Sequence, residues 1–176
     1  MNPTNRSFTL AARALHWTMA VLILAMLFIG AGMVATVSTK YPVLLAIHKP
    51  LGIAILVLAI ARLMVRLRNP PPPLPSDVPR LQRIAAHASH WLLYGLMIAM
   101  PLIGWAMLSA GGYPVMVGED LRLPAILPEN ALVFAWLRTA HRALAYLLLF
   151  TFLGHMGAAL YHALIRRDGV LRSMVR

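Results

Sequence analysis

His141 and His155 stand fourteen residues apart in one apolar stretch, and His16 and His48 each open an apolar stretch of their own. Imidazole is a common axial ligand of haem iron. Fourteen residues is close to a whole number of helical turns, so a helix carries both side chains on one face about 21 Å apart along its axis. That spacing suits two stacked planar cofactors, each needing a second imidazole from another element. The chain has no cysteine, which excludes disulfides, thiolate-held iron–sulfur clusters and covalent haem attachment through C-x-x-C-H. Any haem is therefore held noncovalently. No G-x-G-x-x-G fingerprint or P-loop offers a foothold for nicotinamide, flavin or ATP chemistry.

The elements that must position these histidines follow from composition. The sequence is 60% hydrophobic and 12% charged, unlike a soluble domain. Four stretches, roughly 14–36, 44–66, 87–109 and 138–165, reach the twenty or so apolar residues a helix needs to cross a hydrocarbon core. They leave too little chain between them for a separate soluble domain. Because lipid offers the backbone no hydrogen-bond partner, four spans predict an all-α transmembrane four-helix bundle rather than a barrel.

Positive charge predicts the orientation. With both termini cytoplasmic, the inner side holds Arg6, Arg13, Arg62, Arg66, Arg68, Arg80, Arg83, Arg166, Arg167, Arg172 and Arg176, while the outer side holds Lys40, Lys49, Arg122, Arg138 and Arg142. This is the positive-inside bias. The net charge of +11 is dispersed over helix ends and loops, so it reads as a basic rim against anionic lipid and not as a nucleic-acid surface. The first apolar run is too long for an ordinary signal-peptide core.

Alternating helix directions place His16 and His155 in the inner half and His48 and His141 in the outer half. Each pair comes from two different helices, the arrangement a macrocycle ligated from both sides requires. Two axial imidazoles leave iron no open position, so the predicted work is one-electron transfer. Haem propionates need cations: Arg13, Arg62 and Arg66 are expected near the inner haem, and Lys49, Arg138 and Arg142 near the outer one. His162, seven residues beyond His155 and about 10 Å further along the helix, is a candidate to hydrogen-bond or protonate a quinone. His87 and His90, at the start of the third span, read as interfacial groups and as the substitutes if a ligand assignment fails. No Asp or Glu falls inside the four spans, which argues against a proton or metal transporter.

These residues resemble the bacterial cytochrome b561 proteins, four-helix di-haem b cytochromes of the inner membrane, over nearly the whole chain. The resemblance rests on His16-Trp17, on His48 through Gly52 to Arg62-Leu63 and Arg66, and on Pro70 to Pro73. It continues in Ala86-His87, His90, Tyr94, Pro101 and Gly104, then His141 and His155. It implies two haem b groups, with His16 paired to His155 and His48 to His141, and a ubiquinone partner. Some members are superoxide oxidases, so the resemblance also implies electrons passed from periplasmic superoxide to ubiquinone, with Lys49, Arg138 and Arg142 as an electropositive funnel. The alternative is a cytochrome b subunit that carries electrons between a partner dehydrogenase or hydrogenase and the quinone pool.

Overall fold

A computed structural model describes residues 7–36, 38–118 and 120–176; Arg6, counted above among the inner charges, lies outside them. Four long helices dominate: α1 (Leu10–Ala35), α2 (Lys40–Arg68), α3 (Arg80–Ala110) and α4 (Ala131–Leu160). All four are long and apolar enough to cross a membrane, α4 together with the π turn Tyr161–Arg166 that continues it. A hairpin of β1 (Val115–Val117) and β2 (Leu121–Leu123) joins α3 to α4, and a short α5 (Arg172–Val175) ends the chain.

Local chemistry explains where these helices begin. Thr9 caps α1, its hydroxyl accepting from the Ala12 N–H at 3.3 Å. Asn130 caps α4, its side-chain oxygen taking the N–H groups of Leu132 and Val133 at 3.0 Å each. Each cap satisfies donors that a first helical turn leaves orphaned. Pro50 and Pro101 lie inside α2 and α3. Each removes one backbone donor, freeing the carbonyls of Ala46 and Met97.

The helices are longer than the apolar stretches predicted from sequence. α3 begins at Arg80, seven residues before the expected span, because Arg80 to Ala86 continue the helix as a more polar turn beyond the apolar run. α4 begins at Ala131 rather than near Arg138, so the connection expected over residues 111–137 is shorter and holds a hairpin.

Consecutive helices pack closely, α1 on α2, α2 on α3 and α3 on α4; α4 makes no comparably close backbone approach to α1 or α2 among the described residues. The core is small: Met19 and Ile23 from α1, Ile55 and Ala59 from α2, Tyr94, Leu96 and Met97 from α3, and Leu148 from α4. Large apolar side chains elsewhere face outward, Phe28 71% and Phe150 66% exposed. A water-soluble fold would not leave them so, whereas lipid solvates them at no cost.

Both chain ends meet at one end of the bundle. The Phe8 N–H donates to the Ser173 carbonyl at 3.1 Å, and Trp17 Nε1 donates to the Met174 carbonyl at 3.0 Å. The hairpin marks the opposite end. These are called below the terminal end and the hairpin end.

Candidate functional site

Four histidines from three helices form two pairs. At the terminal end the rings of His16 (α1) and His155 (α4) have centres 6.3 Å apart with planes at 63°. At the hairpin end those of His48 (α2) and His141 (α4) lie 6.2 Å apart at 65°. A metal–imidazole bond is about 2 Å and the ring centre lies roughly 1 Å beyond the nitrogen, so two imidazoles trans on one metal have centres roughly 6 Å apart. Both separations match that figure. Each pair also spans a seam where α4 stands off from its partner helix, as a flat macrocycle between them would require.

Two further features fit a cofactor at the hairpin end. The Nδ1 atoms of His48 and His141 are buried with no hydrogen-bond partner, an orphan that costs about 1–3 kcal/mol and that an anionic group of the cofactor would relieve while Nε2 faced the metal. Gly104 on α3 opens space beside His141: a Cβ added there would meet His141 Cε1 at 3.3 Å. Gly104→Leu is accordingly expected to push His141 out of register and to lower the haem content, while Gly104→Ala moves it only slightly and keeps most. The haem-to-protein ratio of the two variants reads this directly.

The terminal end is more polar. Arg62 Nη2 donates to His16 Nδ1 at 2.6 Å, and Arg62 Nε donates to the Tyr94 hydroxyl at 3.1 Å. The guanidinium carbons of Arg62 and Arg66 lie 5.7 and 5.5 Å from the centre of the Tyr94 ring. With Arg62 donating to Nδ1, a neutral His16 carries its proton on Nε2. Ligation through Nε2 would require the other tautomer, so the Arg62 guanidinium would have to leave His16 if the ring held iron, and an anionic propionate would be a chemically suitable new partner. Arg13 contributes a buried Nε with no partner at this end.

His90 differs from the interfacial expectation. Its ring centre lies 5.2 Å from that of His155 at 71°, inside the histidine cluster. The reason is the early start of α3, which places His90 ten residues into a helix instead of at its mouth. His87 is exposed. At the hairpin end, Lys49 Nζ donates to the Pro114 carbonyl at 3.4 Å and so ties α2 to the hairpin. Arg138 and Arg142 are exposed on α4.

His162 lies beyond the terminal pair, in the π turn. Its Nδ1 meets Asp168 Oδ2 at 2.6 Å. Tyr94 and Asp168 were not foreseen as functional. Asp168 did carry a signal, being the only acid after Glu129.

The bundle with a histidine pair at each end defines a class: a multi-pass helical membrane protein equipped to hold redox cofactors between its helices. The chain belongs to the prokaryotic cytochrome b561 family, whose model matches residues 7–176. It is therefore a bacterial inner-membrane protein of a family that carries electrons, and membership implies haem b. Among curated relatives, cytochrome b561 homolog 2 of Escherichia coli (strain K12) is 31% identical over 98% of this chain and 93% of its own. Probable superoxide oxidase CybB of Yersinia pestis is 36% identical over 73% of each chain. Cytochrome b561 homolog 1 of E. coli (strain K12) is 30% identical over 78% of each.

Proposed function

We propose that the protein is a di-haem superoxide oxidase that takes electrons from periplasmic superoxide and delivers them to ubiquinone at the cytoplasmic side. The observation that carries this reading is the pair of imidazole pairs, 6.3 and 6.2 Å between ring centres, one at each end of the bundle. The relative named a probable superoxide oxidase supports the choice of donor. The terminal end is taken as cytoplasmic, in keeping with the eleven-to-five distribution of Lys and Arg and the positive-inside bias.

When bound, haem b would supply one-electron transfer at each pair. The chain's residues do the rest. His48 and His141 would hold the hairpin-end group, and His16 and His155 the terminal-end group. The inward-facing apolar core of Met19, Ile23, Ile55, Met97 and Leu148 excludes water from the space between. Arg13, Arg62 and Arg66 gather cationic charge for anionic propionates at the terminal end. Superoxide is an anion, and Arg138 and Arg142 attract it to the hairpin end, where Lys49 also secures the hairpin. His162 faces the proton-requiring side of the reaction, where ubiquinone takes up two electrons and two protons.

The test is a haem-to-protein ratio with reduced-minus-oxidised spectra, followed by superoxide and then ubiquinone on the same sample. Two b haems that superoxide reduces and ubiquinone reoxidises are expected. Two haems unresponsive to superoxide would replace this reading with that of a partner-fed electron conduit. Electrostatic attraction of superoxide is tested separately. Exchanging both Arg138 and Arg142 for Glu is expected to slow reduction by superoxide about tenfold at low salt, the gap closing as ionic strength rises.

A further inference from the structure

The end of α4 is built irregularly, and nothing in the electron path requires that. Regular bonding gives way at Tyr161 to a π turn through Arg166, and Arg167 follows in the left-handed conformation at φ 53°, ψ 35°. A non-glycine residue there costs roughly 1–2 kcal/mol, and π turns recur at functional sites. Their joint effect is positional. In a continuing α-helix, the sixth residue after His162 would sit about 9 Å further along the axis and well round the cylinder. Instead the chain folds back, and Asp168 Oδ2 lies 2.6 Å from His162 Nδ1.

Asp168 is held on every side. Its Oδ2 also forms an ion pair with Arg166 Nε at 3.2 Å, and its Oδ1 accepts from the Val170 N–H at 3.2 Å. Arg166 in turn reaches Asp77 in the connection between α2 and α3, which braces the turn against the rest of the bundle. The His162 and Asp168 side chains are only 15% and 11% exposed. Burial alone would raise the carboxyl pKa of Asp168. The hydrogen bonds from His162 and Val170, with the charges of His162 and Arg166, outweigh it and hold the group below its ordinary value. It is an anion at neutral pH.

We propose that Asp168 is the positioning residue of a quinone-side proton donor: it accepts the Nδ1–H of His162, leaving Nε2 as the one ring nitrogen that exchanges protons with the quinone oxygens. The proposal rests on the ubiquinone-reducing reading above. Two superoxide ions give up one electron each and leave as two dioxygen molecules. One ubiquinone takes the two electrons and two protons to become ubiquinol. Each proton passes to the quinone through Nε2 of His162 and is replaced there from cytoplasmic water, while the Asp168 carboxylate keeps the Nδ1–H in place. A carboxylate that orients an imidazole in this way acts through it and does not touch the substrate.

The full-length, haem-loaded protein tests this in two measurements. In the first, dithionite-reduced protein is mixed with saturating short-chain ubiquinone and haem reoxidation is followed. His162→Gln is expected to be about 100-fold slower and Asp168→Asn about tenfold slower. The double variant should be no slower than His162→Gln alone, Asp168→Glu should recover most of the rate, and all should keep wild-type haem content and reduction by superoxide. Asp168→Asn at the wild-type rate, or a loss that adds in full to that of His162→Gln, overturns the positioning role. His162→Gln at the wild-type rate instead overturns the placing of quinone at His162. The second measurement needs no variant: 15N NMR of the histidine-labelled wild type should find the neutral His162 ring protonated at Nδ1, and a proton on Nε2 overturns the proposal.

Discussion

Replacing His141 with alanine is expected to halve the haem content, leaving about one haem per chain, and to slow reduction by superoxide by at least about 100-fold. His48 and His141 bridge the seam between α2 and α4 at 6.2 Å between ring centres, and close helix packing does not otherwise seal it. A macrocycle seated there keeps its place chiefly through two iron–imidazole bonds. Losing even a group that merely orients a metal ligand costs 10–100-fold in affinity, and losing the ligand costs more. Among the described residues nothing nearby is placed to substitute: Lys49 is engaged by Pro114, Lys40 begins α2 about two turns before His48, and Arg122, Arg138 and Arg142 are guanidinium groups, which do not ligate.

The terminal pair should survive that change, because it lies about 21 Å away along α4 with Leu148 and the apolar core between. The surviving haem should therefore keep its spectrum and still accept electrons from a small-molecule reductant. His48→Ala should give the same phenotype, and the double variant no further loss, since either truncation already breaks the same unit. Full haem content in His141→Ala would mean that another residue completes the hairpin-end site. The pairing would then have to be redrawn.

Much of this was legible in the sequence because the membrane simplifies the problem. Lipid forces each span to satisfy its own backbone, so four apolar stretches become four helices and their alternating direction sets the depth of every histidine. His16, His48, His141 and His155 fall into pairs for that reason alone. What was not legible depends on chain outside the hydrocarbon. Hydropathy sees α3 from about residue 87, but Arg80 to Ala86 extend the helix, and His90 thereby joins the cluster it was thought to flank. The Asn130 cap was visible as a residue type, yet the polar and Pro-rich run before it read as continuous loop.

Side-chain direction was equally hidden. Its fourteen-residue offset from His48 puts Arg62 toward the terminal end, but its bond to His16 Nδ1 and to the Tyr94 hydroxyl as a second partner depend on rotamers and helix rotation. The fold-back of Asp168 onto His162 requires a π turn followed by a left-handed arginine. Neither has a compositional signature. Such departures from local preference are expected where a site, and not stability, dictates the backbone.

His155→Ala is the complementary experiment and separates the two ends of the molecule. It is expected to leave about one haem per chain, as His141→Ala does, but with the opposite partial reaction: superoxide should still reduce the remaining haem, and ubiquinone reduction should fall by at least about 100-fold. His90 makes this the more demanding test, since its ring centre lies 5.2 Å from that of His155, closer than the two-imidazole spacing of either pair. That contact is too short to hold a metal between the rings, because two bonds of about 2 Å plus the ring radii need roughly 6 Å. It therefore packs edge to face against His155 instead of sharing an iron with it. His90→Ala should accordingly keep both haems and change mainly the potential of the terminal-end one, through the lost polar neighbour. If His90→Ala removes a haem while His155→Ala retains two, α3 supplies the ligand and the terminal pair is His16 with His90. If each variant behaves as expected, the order of electron entry and exit is fixed by which partial reaction each end retains.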